Sequence, residues 1–346
     1  MTASQTRVLV AMSGGVDSSV AAALLRDAGH DVTGVTLKLW GGESDSGCCS
    51  AADVEDARRV AAQLHIPHYV FNFADEFDSR VVGPYVDAYA DGRTPNPCVE
   101  CNRSIKFGRL LERADALEFD AVATGHHARV SRDATGRWQL LRGSDLAKDQ
   151  SYVLYMLGQP ELGRTLLPVG ELTKAQVREH ASSLGLRTAA KAESMDVCFI
   201  THGGREEFVT ARAGASPGAV VDTDGATIGR HDGVTAFTIG QRRRVGVATG
   251  ERRYVVDLDA ATATVTLGRR DDLLRDAVDL RDLRFVVGVP RPADLLDVQV
   301  RAHGAPAAGR LDGTCVRFER AQPRVAPGQV VALYDGDTLL GGGIAT

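Results

Sequence analysis

The stretch RVLVAMSGGVDSS, from Arg7 to Ser19, decides the fold of the N-terminal part of this chain. An apolar run, Val8 to Ala11, stops just before a serine and two glycines, and apolar residues then return with the spacing of one helix face. This pattern predicts a strand, a tight glycine turn and a helix. Two adjacent glycines let the backbone approach a ligand closely, and the amides at a helix start favour an anion. The turn is therefore predicted to hold a phosphate group.

The polar side chains of this turn indicate a nucleotide with Mg²⁺. Ser13, Ser18 and Ser19 add hydroxyl donors, and Asp17 is a candidate ligand for Mg²⁺. The turn lacks the Gly-Lys-Ser/Thr ending of a Walker loop and the Gly-x-Gly-x-x-Gly spacing of a dinucleotide turn. It resembles instead the pyrophosphatase loop of enzymes that split ATP into AMP and pyrophosphate while they adenylate a substrate oxygen. An ordinary strand-to-helix turn is the alternative.

Length and composition are those of a globular protein with two or three domains. The chain has 346 residues, of which 44% are hydrophobic and 25% are charged. No apolar run approaches the roughly 20 residues of a membrane-spanning helix, and the N-terminus lacks a secretory signal, so we expect a cytoplasmic protein. The formal net charge of −5 argues against a nucleic-acid coat over the whole surface, but allows a local basic face such as Arg242 to Arg244.

Strands and helices alternate over the first part of the chain. Strand-like runs occur at Val32 to Leu39, His68 to Phe73 and Phe119 to Ala123, and helical spacing occurs at Ala51 to Leu64 and Ser104 to Leu117. This alternation predicts an α/β fold with a doubly wound parallel sheet. The ligand of such a sheet lies at the carboxyl ends of the strands, where the glycine turn falls.

Further local structure follows from turn and cap residues. We predict a hairpin from Arg129 to Arg142, a helix that opens at Lys148 to Tyr152, a capping box at Thr173 to Gln176 and a strand-like run at Ser194 to Ile200. His126 and His127 follow a strand end, where a nucleotide can be touched; an exposed loop pair is the alternative.

The pattern changes beyond residue 203. Short strand-like runs then alternate with Asp/Gly turns, including Asp335-Gly336, which is typical of a hairpin. This predicts a small β domain followed by a β-barrel, with Cys315 in a barrel strand. The expected domains are an ATP-pyrophosphatase catalytic domain at 1–203, a central β-rich domain at 204–275 and a C-terminal β-barrel domain at 276–346.

The six cysteines lack the dense spacing of a secreted disulfide framework and so point to reactivity or a metal. Cys98 and Cys101 lie in the segment 92–102, GRTPNPCVECN, whose two prolines predict a shaped loop rather than a helix. Cys198 lies in an apolar run, and Cys48 and Cys49 lie in a loop that we interpret as flexible.

A reaction that uses both a pyrophosphatase loop and cysteines is sulfur transfer. Adenylation converts a carbonyl oxygen into a leaving group, which a sulfur nucleophile can then replace. The pKa of a cysteine, about 8.5 when free, falls near positive charge, and Arg103 and Lys106 follow Cys101 closely. With two cysteines, one can carry a persulfide while the other resolves it through a disulfide.

Five segments resemble, in the same order, the tRNA-specific 2-thiouridylases. They are Thr94 to Asn102 with Lys106-Phe107, Ala123 to His126, Lys148 to Tyr152, Asp196 to Ile200 and Phe237 to Arg242. The resemblance implies an adenine nucleotide α-hydrolase-like fold and ATP-dependent insertion of sulfur at position 2 of the wobble uridine of certain tRNAs. It also implies a sulfur-donor protein, either a cysteine desulfurase or a relay protein.

The same resemblance implies roles for particular residues. Cys198 would carry the persulfide, and Cys101 would be the catalytic nucleophile that can form a disulfide bond with it. The residues expected to bind ATP are Ala11, Met12, Ser13, Gly14, Gly15, Val16, Asp17, Ser18, Leu37 and Gly125. Those expected at the target base are Asn96, Pro97 and Cys98, and those expected to contact tRNA are Lys148, Asp149 and Gln150. No bound metal is expected beyond the Mg²⁺ that accompanies ATP.

Three departures from the family pattern leave alternatives open. Many members carry Asp where Cys98 stands, a tyrosine is common at His127, and Ala302 follows Arg301 where a tyrosine is usual. Cys98, Cys101 and Cys198 are also the right residue types to hold a [4Fe–4S] cluster with one open iron site. A structural zinc site lacks an evident fourth ligand. Another ATP-pyrophosphatase ligase, or an RNA-binding protein with a relic loop, are the remaining alternatives.

Overall fold

The computed structural model describes residues 6–39, 50–192, 197–200, 204–247, 250–302 and 304–346. Cys48, Cys49 and the part of the predicted strand from Ser194 to Asp196 lie outside these residues.

The first part of the chain contains helices, the strands of a parallel sheet and one antiparallel hairpin over residues 128–142. Its strands are β1 (Arg7–Ala11), β2 (Asp31–Lys38), β3 (His68–Asn72), β4 (Ala121–Ala123), β5 (Ala128–Arg132), β6 (Trp138–Arg142) and β7 (Thr165–Leu166). Its helices are α1 (Val16–Asp27), α2 (Ala51–Gln63), α3 (Ala74–Phe77), α4 (Gly83–Ala90), α5 (Pro97–Glu100), α6 (Leu110–Ala116), α7 (Gln159–Leu162) and α8 (Lys174–Ser183).

The parallel sheet has the strand order β3-β2-β1-β4-β7. The chain moves outward from β1 through β2 to β3, and then returns to place β4 on the other side of β1. This reversal creates a crevice at the carboxyl ends of β1 and β4, which is where parallel α/β sheets bind ligands. The predicted doubly wound sheet is confirmed, and its switch point lies at the glycine turn.

Strand β1 is apolar on both faces because helices cover both faces of the sheet. Val8 and Val10 pack with Val20 of α1 and with residues of α2 and α8. Leu9 points to the opposite face, into a cluster with Phe77. A continuous apolar run is typical of such a doubly covered strand.

The segment that carries Cys98 and Cys101 is helical, so the prediction of a loop is wrong for its second half. Pro97 is the first residue of α5, and Asn96 caps the helix by accepting a hydrogen bond from the N–H of Cys98 at 3.1 Å. The helix continues through a π-helical segment, Cys101–Arg109, into α6. Proline fits the first helical position because its missing N–H has no intrahelical partner there.

Other local predictions have mixed outcomes. The hairpin β5–β6 and the capping box of Thr173 with Gln176 are confirmed. The helix predicted to open at Lys148 is only a 3₁₀ turn, Ser151–Leu154. Residues 197–200 form a turn rather than a strand; their apolar pattern reflects burial of Phe199 among aromatic rings, not membership of a sheet.

The central β domain follows helix α9 (Gly204–Ala213), which the sequence patterns did not predict. Its strands are β8 (Gly218–Asp222), β9 (Thr227–His231), β10 (Tyr254–Asp259) and β11 (Thr264–Gly268), in the sheet order β10-β11-β8-β9. Val220, Phe237, Val255 and Leu267 form its core. The run from Val234 to Ile239 is strand-like in sequence but forms a 3₁₀ turn, Val234–Ala236, which is followed by Phe237 in an extended conformation.

The C-terminal part is a closed antiparallel barrel, as predicted. Its strands are β12 (Leu274–Phe285), β13 (Leu296–Gln299), β14 (Ala307–Asp312), β15 (Cys315–Pro323), β16 (Val330–Asp335) and β17 (Thr338–Ala345). They run in the order β12-β15-β14-β13-β16-β17, and β12 pairs with β17 to close the barrel. Strand β17 also pairs with β6, so the hairpin of the first domain extends the barrel sheet. Within the described residues, no helix is long and apolar enough to cross a membrane.

Candidate active site

A cavity of about 240 Å³ opens where β1, β2 and β4 end, and it brings together most of the predicted site residues. The predicted residues that line it are Ala11, Met12, Ser13, Asp17, Ser18, Leu37, Pro97, Cys98, Cys101, Gly125, Gln150 and Cys198. The predicted residues that do not line it are Gly14, Gly15, Val16, Asn96, Lys148 and Asp149. The nucleotide turn and the three cysteines therefore face one space.

The glycine turn is shaped by close contacts with its neighbours. Gly14 has a φ of 72°, and a Cβ atom there would collide with the backbone carbonyl of Asp53 in α2. Gly15 caps α1 without a side chain, so no side chain occupies the amides of the first helical turn. The hydroxyls of Ser18 and Ser19 donate to the carbonyl of Gly15 at 3.2 and 2.8 Å. These amides remain suited to an anion.

Asp17 lies between two cationic or proton-donating side chains. Lys174 Nζ contacts both carboxylate oxygens, at 2.7 and 2.6 Å, and His127 Nε2 contacts Oδ1 at 3.1 Å. Burial raises the pKa of Asp17, but hydrogen bonds from His127 and Lys174 outweigh it and hold the pKa below its ordinary value. Asp17 is thus a carboxylate near neutral pH.

The end of β4 meets the start of α1 without a side chain between them. A Cβ atom on Gly125 would lie 2.6 Å from the backbone nitrogen of Ser18, so only glycine lets β4 come this close. His126 and His127 are buried and not an exposed pair. Burial lowers the pKa of His126 well below its ordinary value, and Lys106 adds to this effect, so His126 is neutral; its Nδ1 lies 2.7 Å from the Thr124 hydroxyl.

The three cysteines reach the cavity from two elements. Cys98 lies in the first turn of α5, and Cys101 begins the π-helical segment. Cys198 lies in a turn that is anchored by its neighbour Phe199, whose ring packs against Phe77, Tyr85 and Phe208 with centroid distances of 5.7, 5.4 and 5.3 Å.

The described residues do not confirm the iron–sulfur alternative. Among the residues that the structure describes, no group of three or more His, Cys, Asp or Glu side chains is arranged to hold a metal ion. Cys98, Cys101 and Cys198 border one cavity without forming such a group.

Within the segment 148–150, Gln150 lines the cavity, whereas Asp149 lies in the interior. Gln150 lines the cavity and is joined to His127 by two hydrogen bonds, at 3.0 and 2.9 Å. The carboxylate of Asp149 is buried and accepts hydrogen bonds from Arg142 at 3.1 Å and from the Ser151 hydroxyl at 2.9 Å. Asp149 is therefore buried and paired in the interior.

Lys174 and Lys191 are residues of the site that sequence reasoning missed. Lys174 is the first residue of the helix that the capping box predicts, but its partner Asp17 lies 157 positions away in sequence. Lys191 contacts the carbonyl of Gly14 at 3.0 Å. No local signal predicts either contact.

Comparison with domain families divides the chain into three consecutive matches. Residues 6–202 match the tRNA methyl transferase HUP domain, 206–269 match the tRNA methyl transferase PRC-barrel domain, and 275–345 match the aminomethyltransferase beta-barrel domain.

Similar proteins are named for thiolation rather than methylation. The tRNA-specific 2-thiouridylase MnmA of Chloroflexus aggregans is 51% identical over 97% of both chains. That of Roseiflexus sp. is 48% identical over 97% of this chain and 98% of the relative. A solved structure, the U34-tRNA thiolase NcsA from Methanococcus maripaludis with its [4Fe-4S] cluster, is 16% identical, with a TM-score of 0.37 over 60% of this chain and 64% of that chain. A likeness this weak assigns no cofactor.

Proposed function

This chain belongs to the family of tRNA-specific 2-thiouridylases, and from this premise we propose that it replaces the oxygen at position 2 of the tRNA wobble uridine by sulfur, with ATP as the activating substrate. It is a tRNA sulfurtransferase. Its expected compartment is the cytoplasm, with its tRNA substrate.

One observation carries the proposal: the nucleotide turn and the cysteines line the same cavity. Ser13 and Asp17 of the turn line it, and so do Cys101 and Cys198. An ATP-pyrophosphatase that adenylates a substrate for ammonia or an amine has no need of two thiols there. The arrangement therefore supports sulfur as the nucleophile.

The first step is adenylation of the uridine. Oxygen 2 of the base attacks the α-phosphorus of ATP, an O–P bond forms, and the bond to pyrophosphate breaks. The amides of the first turn of α1 and the Ser13 and Ser18 hydroxyls suit the phosphates. Lys106, which lines the cavity, adds positive charge beside them.

Mg²⁺ is expected to enter with the phosphates of ATP. Asp17 is the carboxylate that borders the cavity, and carboxylate oxygens are suitable Mg²⁺ ligands. Its oxygens are held by Lys174 and His127, so phosphate oxygens and water would complete the coordination. The ion would neutralise the charge of the leaving pyrophosphate.

The second step transfers sulfur. The terminal sulfur of a Cys198 persulfide, which a donor protein supplies, attacks carbon 2, and AMP leaves with the original oxygen. The Cys101 thiolate then attacks the Cys198 sulfur, the S–S bond to the base breaks, and 2-thiouridine is released. The resulting Cys101–Cys198 disulfide is reduced by an external thiol before the next turnover.

The target base must leave its stack to reach this cavity. Asn96, Pro97 and Cys98 lie at the start of α5 beside the cavity, where the extruded uridine is expected. Lys148 is expected to contact a tRNA phosphate and Gln150 to contact the tRNA at the cavity edge. A phosphate contact gives affinity that falls with salt and does not select the base.

The decisive experiment is mass spectrometry of nucleosides from unmodified tRNA after incubation with the protein, Mg-ATP and a persulfide donor. We expect 2-thiouridine with the wild type and none with Cys101→Ser or Cys198→Ser. Both variants should still release pyrophosphate in the presence of tRNA, because adenylation precedes sulfur transfer and AMP leaves only when sulfur attacks carbon 2.

Two outcomes contradict the proposal. AMP release without thiouridine in the wild type leaves ATP use intact and overturns the sulfur assignment. Full activity of Cys198→Ser removes the persulfide carrier. The variant Cys98→Ser distinguishes two mechanisms. The thiol mechanism needs only Cys101 and Cys198 to move sulfur, whereas a cluster mechanism needs all three cysteines and bound iron.

A further inference from the structure

Lys191 joins the nucleotide turn to the start of helix α2. Its ammonium group donates to the carbonyl of Gly14 at 3.0 Å, to Asp53 Oδ1 at 2.6 Å and to Asp56 Oδ2 at 2.8 Å. Asp53 is also bonded to Ser50, which caps α2. One side chain therefore connects the turn and two carboxylates of a neighbouring helix.

The contact with Gly14 fixes the orientation of a peptide group in the turn. The carbonyl of Gly14 and the N–H of Gly15 belong to the same peptide, and in a trans peptide these groups point in opposite directions. The described part of the chain contains no cis peptide bond. Because the carbonyl of Gly14 points toward Lys191, the N–H of Gly15 points away from Lys191, toward the opposite side of the turn.

Steric contacts alone do not set this orientation. Gly14 abuts the backbone of Asp53, which limits how far the turn can move toward α2, but glycine allows many φ values. The ammonium group supplies the directional contact. Partial burial lowers the pKa of Lys191, but hydrogen bonds to Asp53 and Asp56 outweigh it and raise the pKa, so the side chain stays charged.

We infer that Lys191 is a positioning residue for ATP: it holds the Gly14 carbonyl against α2 and thereby aims the Gly15 amide at the nucleotide phosphates. The inference rests on the proposed binding of ATP in this turn. Lys191 itself need not contact the nucleotide.

Arg187 provides a matched control in the same cluster. It contacts Asp56 at 3.2 Å, so its removal also takes a cation from that carboxylate, but no contact joins it to the turn in the described residues. We would measure the KM for ATP and the kcat of AMP release, and the binding of a non-hydrolysable ATP analogue, for the wild type, Lys191→Met, Lys191→Arg and Arg187→Met.

Lys191→Met should raise the KM for ATP and the analogue Kd about tenfold with a smaller change in kcat, while Arg187→Met changes either constant less than twofold. Lys191→Arg, which keeps the charge and a donor, should recover most of the affinity. The loss in Lys191→Met should persist from 0.05 to 0.3 M salt, since a pure charge effect would shrink with screening.

Equal constants for Lys191→Met and Arg187→Met would overturn the inference, as would a loss that salt abolishes. If Lys191→Met fails to fold, Lys191→Arg and Arg187→Met are compared instead. Weaker binding of the analogue by Arg187→Met than by Lys191→Arg contradicts the assignment. Failure of the proposed function looks different, because the wild type itself would then bind no analogue.

Discussion

At the scale of single residues, the site relies on side chains whose charge is set by burial and by partners. His126 is buried beside Thr124, and burial holds its pKa well below the ordinary value of about 6.5. Asp17 is held ionised by Lys174 and His127. The cavity wall therefore combines a neutral imidazole with a paired carboxylate.

The low pKa of His126 predicts how stability depends on pH. Above about pH 6.5 the histidine is neutral in both states. Below it, the unfolded chain takes up a proton that the folded chain does not, so the free energy of unfolding falls as the pH falls toward the folded pKa. His126→Asn, which keeps an acceptor near Thr124, should lose less thermal stability than the wild type between pH 7.5 and 5.5.

Thermal unfolding at both pH values measures this difference. His68, whose pKa burial also lowers, acts in the same direction, so the variant should keep part of the wild-type pH dependence. Identical shifts in Tm for the two proteins would show that His126 is protonated in the folded state.

At the scale of elements, the helix that carries Cys98 and Cys101 depends on its cap. Asn96 accepts from the N–H of Cys98, and Pro97 starts the helix with a suitable φ. Asn96→Ala should cost about 1 kcal/mol of stability, since the cap is lost. For a domain of this size, that loss lowers Tm by roughly 2–4 °C.

Asn96→Asp is the control for this cap, because aspartate caps helices about as well as asparagine. Differential scanning calorimetry of both variants gives the comparison. A Tm of Asn96→Ala equal to that of the wild type would mean that tertiary contacts, and not the cap, hold the start of α5.

The same elements show what the sequence could predict. The strand, turn and helix around Gly14 were predictable because every determinant lies within one short stretch. The loop prediction at Pro97 was wrong because proline is both a loop residue and a favoured first helical residue. The choice between the two depends on the cap at Asn96, which only the geometry shows. The apolar run around Phe199 has no strand partner; its burial among aromatic rings comes from residues distant in sequence.

Contacts between distant residues were beyond sequence patterns altogether. Lys174 meets Asp17 across 157 positions, and Lys191 meets Gly14 across 177. Part of the cavity lining could be predicted from the family resemblance. Which cations hold the turn could not, because charge pairing over such separations leaves no periodic signal.

At the scale of the whole molecule, the barrel is joined to the catalytic domain by strand pairing. Strand β6 of the first domain pairs with β17 of the barrel, with Leu140 opposite Leu339. Beside this pairing, Arg142 donates to Asp149 at 3.1 Å and to Gln299 of the barrel at 2.7 Å, and its guanidinium lies 3.6 Å from the ring centroid of Tyr334. The segment that precedes Gln150 is thus tied to the barrel.

This network predicts that Asp149 links domains. Arg142 and Asp149 form a buried ion pair, with side chains only 12% and 4% exposed. Removing one partner of such a pair leaves an uncompensated charge, so Asp149→Leu and Arg142→Met should each cost about 3–5 kcal/mol. The double variant should cost clearly less than the sum of the two, because neither charge then remains buried alone.

Thermal unfolding of the four proteins of this double-mutant cycle measures the coupling energy between Arg142 and Asp149. Measuring tRNA binding at two salt concentrations shows whether either residue also contacts the RNA. Lys148→Ala serves as the reference for a contact residue: it should weaken tRNA binding and reduce the salt dependence by about one phosphate contact, with little change in Tm. If Asp149→Leu behaves like Lys148→Ala, with unchanged Tm and weaker tRNA binding, Asp149 contacts the tRNA. A loss of Tm that is clearly less than additive with the loss in Arg142→Met instead makes Asp149 the residue through which the barrel holds Gln150 at the cavity.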